Sequence, residues 1–305
     1  MGKSKFTGRQ LKESTKQTVP LARRPPLRLR PSPPSSHAHS PPPPATPTTM
    51  LCFYLLLGIS QALAVIILIL AGFWTGHTLG GFAWDGTSKE FNLHPLLMIL
   101  GFIFLYGDAI LMFRILRTEN KTAVKVIHLL MQALALICAC IALKAVFTFH
   151  TTMGFPHLYS LHSWVGLTAF ILFSLQWIVG FVSFFFPKLR EDFRASYLPI
   201  HRYFGVAIFA TAVAAALIGI NEKLFFVYSG TDGNEKYASR PNGAYVGNFL
   251  AFFILIFALI VGYLVTHPKY IREQQPNEET MPLASSAAMR QFQSTDQVPE
   301  AEEAK

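Results

Sequence analysis

The stretch Tyr159-Ser160-Leu161-His162-Ser163-Trp164 opens an apolar run that continues to Phe186. At about 1.5 Å per residue, a helix of about 25 residues exceeds the roughly 30 Å hydrocarbon core of a bilayer. The run therefore reads as a membrane-spanning helix, and the histidine near its start is its informative residue. An ionisable side chain at membrane depth is costly and needs a partner, so His162 must be explained by what it meets.

The rest of the chain supports a membrane reading. Of 305 residues, 51% are hydrophobic and 14% charged, and 27 are Phe, a balance too apolar and too charge-poor for an ordinary soluble domain. Stretches 51–74, 93–116, 124–148, 199–220 and 244–266 also have the length and hydropathy of spans. Together with 161–186 they predict an all-α, six-helix transmembrane bundle with both termini on one side. Cys52, Cys138 and Cys140 all fall inside predicted spans. They provide neither a disulfide framework nor a spaced zinc site, and read as buried small hydrophobes.

The flanks differ in kind. Residues 1–49 are rich in Pro, Ser, Lys and Arg with almost no acid, a composition that cannot bury enough apolar surface to fold. They carry no apolar segment of signal-peptide type, and Met50 stands immediately before the first span. The expected organisation is a disordered basic tail over 1–49, a membrane domain over 50–272 and a second disordered tail over 273–305.

Orientation follows from the connections. Arg114, Arg117, Lys121 and Lys125 crowd the loop after the second span, and Lys188, Arg190, Arg194 and Arg202 the region between the fourth and fifth. The connection 149–160 has no Lys or Arg. Basic loops stay in the cytosol, which puts both termini there. The net charge of +9 is then largely topology plus a basic tail, and nucleic-acid binding is not expected. Asn120-Lys121-Thr122, a glycosylation sequon, falls on the cytosolic side and is expected to be unmodified.

With sides assigned, the histidines pair. His94 and His162 begin spans that run inward from the non-cytosolic face, whereas His128 and His201 lie just inside spans that start from the cytosol. A lone histidine near a helix end is ordinarily an interfacial side chain. Four at paired depths on four consecutive helices imply one pair per leaflet, held in a four-helix core formed by helices 2–5. Zinc wants four N, S or O ligands, and no third or fourth lies at these depths. Haem iron needs only two axial ligands, and Phe-rich and Leu-rich walls suit its macrocycle. Two histidines on one iron leave no open position, which favours electron transfer over oxygen chemistry. Helix rise places two such irons roughly 15–20 Å apart.

At this point the chain resembles the cytochrome b561 family of transmembrane ascorbate-dependent reductases over about 51–272. The likeness is carried by Gly81-Phe82-Ala83-Trp84, Phe91-Asn92-Leu93-His94-Pro95, Tyr159-Ser160-Leu161-His162-Ser163-Trp164, Pro199-Ile200-His201 and Pro268. The pieces Val146-Phe147-Thr148-Phe149-His150 and Gly219-Ile220-Asn221-Glu222-Lys223-Leu224-Phe225-Phe226 look most like its lysosomal ferric-reductase branch. The resemblance implies two haem b groups, ligated by His94 with His162 and by His128 with His201. It implies cytosolic ascorbate bound by Arg114, Lys121, Lys125 and Arg194. On the other face it implies an acceptor, a ferric chelate or monodehydroascorbate, near Phe149, His150 and Tyr159. A homodimer is expected, in the late endosomal or lysosomal membrane, with another vesicle or the plasma membrane as alternatives.

Two departures stand out, Lys144 in the third span and Asp108 in the second, the latter within reach of a partner such as Arg114. A rival of another class is a histidine-dependent proton or metal transporter without haem. A scaffold with incidental histidines is the weakest reading, because it leaves the pairing unexplained.

Overall fold

Thr46 starts the first helix: its hydroxyl accepts from the Thr49 N–H, and Pro47 takes a first-turn position where its missing N–H costs nothing. The computed structural model describes residues 46–231 and 233–272. The expected tails lie outside these residues, except that 47–49 already belong to the first helix. Among the described residues, six helices are long and apolar enough to cross a membrane. They are α1 (Pro47–Thr78), α2 (Ser88–Ile115), α3 (Lys121–Met153), α4 (Leu161–Phe184), α5 (Glu191–Val227) and α6 (Asn242–Thr266). The architecture is thus the all-α six-helix bundle that hydropathy predicts.

Boundaries shift where local chemistry outruns hydropathy. α3 continues to Met153, ended by Gly154 in the left-handed region, so His150 sits in the last turn of that helix and not in a connection. α5 begins at Glu191, with Pro199 inside it. Its first turn carries Glu191 and Asp192, acids that suit a helix N-terminus, so the segment before Pro199 is helix where a loop was expected. α4 opens on a capping box between Ser160 and Ser163. α2 is not a uniform α-helix, since Ile99–Leu105 winds as a π-helical segment.

The helices pack as hairpins, α2 against α3 and α4 against α5, with α1 against α6. At mid-depth the core is aromatic. Tyr106 is 1% exposed, and its ring lies 4.8 Å from that of Phe173 and 5.4 Å from that of Phe209. Its hydroxyl donates to the Gly205 carbonyl at 2.8 Å, which joins α2 to α5 without leaving a polar atom unpaired. Outward faces are apolar too: Ile69, Trp164 and Leu259 are 64%, 67% and 65% exposed, surface that lipid covers in a bilayer.

Both unusual charges find neutral partners. Gln61 of α1 donates to the buried Asp108 carboxylate at 2.9 Å. Arg114, the partner suggested by sequence, turns instead to the Val265 carbonyl near the end of α6. An uncapped helix C-terminus presents acceptors, and α6 offers one within reach of Arg114. Lys144 faces outward, and its ammonium donates to Thr148 Oγ1 at 2.6 Å one turn on.

Candidate cofactor site

Two pairs of imidazoles face each other across the four-helix core. His94 of α2 and His162 of α4 have ring centres 6.0 Å apart at 85°. His128 of α3 and His201 of α5 stand 6.4 Å apart at 73°. The pairing is the one that depth along the helices predicts, and each pair draws one histidine from each hairpin.

Three of the four rings are held by backbone carbonyls. His94 Nδ1 lies 3.2 Å from the Ala142 carbonyl, His128 Nδ1 2.8 Å from that of Ala109, and His162 Nδ1 2.8 Å from that of Ala215. A carbonyl only accepts, so each Nδ1 carries the proton and each Nε2 keeps a lone pair for a ligand. Alanine at each of these positions lets a ring approach its backbone closely. His201 Nδ1 is buried and has no such partner.

Glycines complete the seats. A Cβ added to Gly219 would come within 2.5 Å of the His162 ring, and one on Gly180 within 3.2 Å of the His201 ring. The first distance is impossible without moving the imidazole; the second asks for a small adjustment. Ala215 and Gly219 lie one turn apart on α5, so one stripe of that helix both fixes and accommodates His162.

Does haem fit these residues? Metal–imidazole bonds of about 2.0–2.1 Å, with about 1.2 Å from nitrogen to ring centre, put two axial imidazoles about 6.5 Å apart centre to centre. The observed 6.0 and 6.4 Å match that spacing. Among the described residues, no group of three or more His, Cys, Asp or Glu could hold a metal ion, whereas two histidines per iron suffice for haem. The donor set and its spacing therefore fit the group.

At the His94–His162 end, Phe91 lies 6.0 Å from the His94 ring and packs edge-on against Phe149 at 5.1 Å. His150 stacks on His157 at 5.7 Å and on Tyr159 at 6.2 Å. Phe149, His150 and Tyr159 are thus brought together beside this pair, as expected. Burial, followed by the neighbouring Glu222 carboxylate, pushes the Tyr159 hydroxyl above its ordinary pKa, so it keeps its proton at physiological pH.

At the other end stand the four expected cations. Arg114 closes α2, and Lys121 and Lys125 occupy the first turns of α3. Arg194 lies in the first turns of α5, where its Nε donates to the Leu189 carbonyl at 2.9 Å. Arg114 Nη1 is buried without a partner, while Arg117 and Arg202 lie close by. A buried guanidinium nitrogen left open beside further cations suits an anion.

Sequence reasoning missed the carbonyls of Ala109, Ala142 and Ala215, the glycines 180 and 219, and Glu222. The available signal was a spacing of small residues, Ala215 and Gly219 four apart, opposite a buried histidine.

A model of the family described as eukaryotic cytochrome b561 matches residues 93–227, which include all four histidines. The transmembrane ascorbate-dependent reductase CYB561 of Bos taurus is 40% identical over 224 residues, 73% of this chain and 86% of the relative. The Homo sapiens protein of that name is 38% identical over 224 residues, 73% of this chain and 87% of its own. The plasma membrane ascorbate-dependent reductase CYBRD1 of Mus musculus is 39% identical over 231 residues, 75% of this chain and 76% of the relative. With four histidines seated in facing pairs and relatives aligned along most of its length, the chain belongs to the cytochrome b561 family.

Proposed function

We propose that this protein moves single electrons across a membrane, from ascorbate on the cytosolic side to ferric iron in a chelate on the other. The observation that carries the reading is the pairing of His94 with His162 and of His128 with His201, at ring spacings that suit an iron between two imidazoles. Each pair would hold one haem b. Bound haem b, held by these histidines, would supply a reversible one-electron couple. The chain supplies orientation through the three carbonyls, a dry aromatic partition at Phe102, Tyr106, Phe173 and Phe209, and sites for small molecules at the two ends.

Ascorbate is a monoanion, and the names of the relatives support it as donor. Arg114, Lys121, Lys125 and Arg194 sit at the end occupied by His128 and His201, and the basic loops put that end, and both termini, in the cytosol. Arg114 Nη1 is the donor we assign to ascorbate. At the opposite end, the His150 imidazole and Glu222 carboxylate offer nitrogen and oxygen ligands of the kind iron accepts, with Tyr159 as a neutral hydrogen-bond donor. The stretch Gly219–Phe226 favours the late endosomal or lysosomal membrane by its likeness to that branch.

An oxidised-minus-reduced optical spectrum of the purified protein, with haem counted per chain, tests the core. Two b-type haems reduced by ascorbate are expected. A protein that stays colourless after haem supplementation fails the reading and favours a histidine transporter. Turnover of ferric chelate against monodehydroascorbate in proteoliposomes loaded with ascorbate then tests the acceptor. A rate on the radical with none on iron would reassign it.

A further inference from the structure

The stripe of α5 that serves His162 does not end at Gly219. One turn further toward the helix end, in register with Ala215 and Gly219, comes Lys223. Its ammonium does not turn outward, as a lysine near a membrane surface ordinarily would. It stands over the Phe91 ring, 4.1 Å from the centroid, and Phe91 in turn lies 6.0 Å from the His94 ring. Lys223 is half-buried, and among the described residues no carboxylate lies within ion-pair reach of it. The adjacent Glu222 is directed to Tyr159. Of the other cations of this end among the described residues, Lys89, Lys236 and Arg240 are exposed and Lys144 is bound to Thr148.

A half-buried ammonium held by a ring face alone is under-compensated. A cation–π contact offsets only part of what removing an ammonium from water costs. The position becomes favourable when an anion completes it, and Phe91, the ring it stands over, borders the His94–His162 pair.

We propose that Lys223 is the carboxylate anchor beside that pair. The ligand chemistry is a carboxylate brought in from outside the chain. It has two possible sources, a propionate of the haem seated between His94 and His162, or a carboxylate of the ferric chelate arriving as acceptor. Either way Lys223 positions the group by charge, while the ring of Phe91 keeps the ammonium over the site and out of the headgroups. The assignment rests on the electron-transfer reading given above.

The test compares K223M and K223R with the wild-type holoprotein, reading haem per chain, the midpoint potential of each haem, and KM for ferric citrate and for a neutral ferric hydroxamate. A propionate source predicts that K223M lowers the potential of the His94–His162 haem and weakens its retention, with the ratio of the two KM values unchanged. A chelate source predicts a KM for ferric citrate raised about tenfold in K223M, with the hydroxamate KM and both potentials unmoved. In both cases K223R restores most of the wild-type value, since it keeps the charge. If K223M matches the wild type in potential, haem retention and KM ratio, Lys223 is an ordinary interfacial lysine and the anchor is overturned. If the wild type reduces no ferric chelate, the acceptor reading fails, and haem retention and potential still decide the anchor.

Discussion

In the α2–α3 hairpin the histidines are tied reciprocally: His94 of α2 donates to Ala142 of α3, and His128 of α3 donates to Ala109 of α2. In the α4–α5 hairpin the tie runs one way, from His162 to Ala215, and the return position is His201 Nδ1, buried and unpaired. Because each facing pair takes one ring from each hairpin, the asymmetry falls on a single site. His94 and His162 are both oriented from behind; His128 is oriented and His201 is not. A hydrogen bond behind a ligating imidazole fixes its tautomer and raises its basicity, so in the proposed haem seats His201 would be the softer hold of the four.

The comparison can be broken most directly by deleting rings. H162A or H94A is expected to remove the haem at their end and halve the haem count per chain, and H128A or H201A to do the same at the other end. A variant that keeps its full complement by pyridine haemochrome assay would undo the pairing.

Glycine substitutions sharpen it further. G219A forces the His162 ring from its seat and should lose most haem at that end, because the added carbon would lie 2.5 Å from the imidazole. G180A meets His201 at 3.2 Å and should keep its haem with a small fall in melting temperature. Equal losses from the two would mean that both seats are equally rigid.

Exogenous imidazole probes the missing bond itself. In H128G the Ala109 carbonyl remains to orient an added imidazole, whereas in H201G nothing replaces it. A neutral hydrogen bond contributes about 1 kcal/mol, so imidazole should restore the low-spin spectrum of H128G at about five-fold lower concentration than that of H201G. The reverse order would show that access outweighs orientation.

The smallest effects concern Asp108, which directly precedes the carbonyl that holds His128 and has no equivalent in the α4–α5 hairpin. Q61L leaves its carboxylate buried without the amide donor and should destabilise by about 1–3 kcal/mol in detergent unfolding. D108N keeps an amide at the same place and should change stability by less than about 1 kcal/mol. A larger loss in D108N than in Q61L would show that the carboxylate does more than accept from Gln61.

Much of this was legible in the letters. Six spans follow from hydropathy, and His94, His128, His162 and His201 stand out because an ionisable group at membrane depth is rare. The remainder was hidden for physical reasons. Ala109, Ala142 and Ala215 contribute carbonyls, and a carbonyl is common to every residue, so no side-chain pattern marks it. Gly219 matters through a clash that exists only after two helices cross. Asp108 finds Gln61 on a helix distant in sequence, and the nearer arginine drew attention first. Pro199 signals a helix start by local rule, yet an acidic first turn lets α5 begin at Glu191, so the true boundary lies where hydropathy is weak. Lys223 stands in the sequence only as one letter of the Gly219–Phe226 likeness, because the Phe91 ring beneath it belongs to a helix distant in sequence.

A π-helical segment ends α1 at Trp74–Thr78, but the one in α2, Ile99–Leu105, lies inside its span. It lies between His94 and Ala109, whose carbonyl holds the His128 ring of α3. Such a segment amounts to about one residue more than a regular helix needs. Deleting one residue there would regularise the hydrogen bonding while rotating everything beyond it by about 100° relative to His94. α2 is therefore a phase-keeping shaft: the angular offset between its two ends is set by an irregularity, and an insertion or deletion harmless to its length would turn His94 out of register with the Ala109 carbonyl.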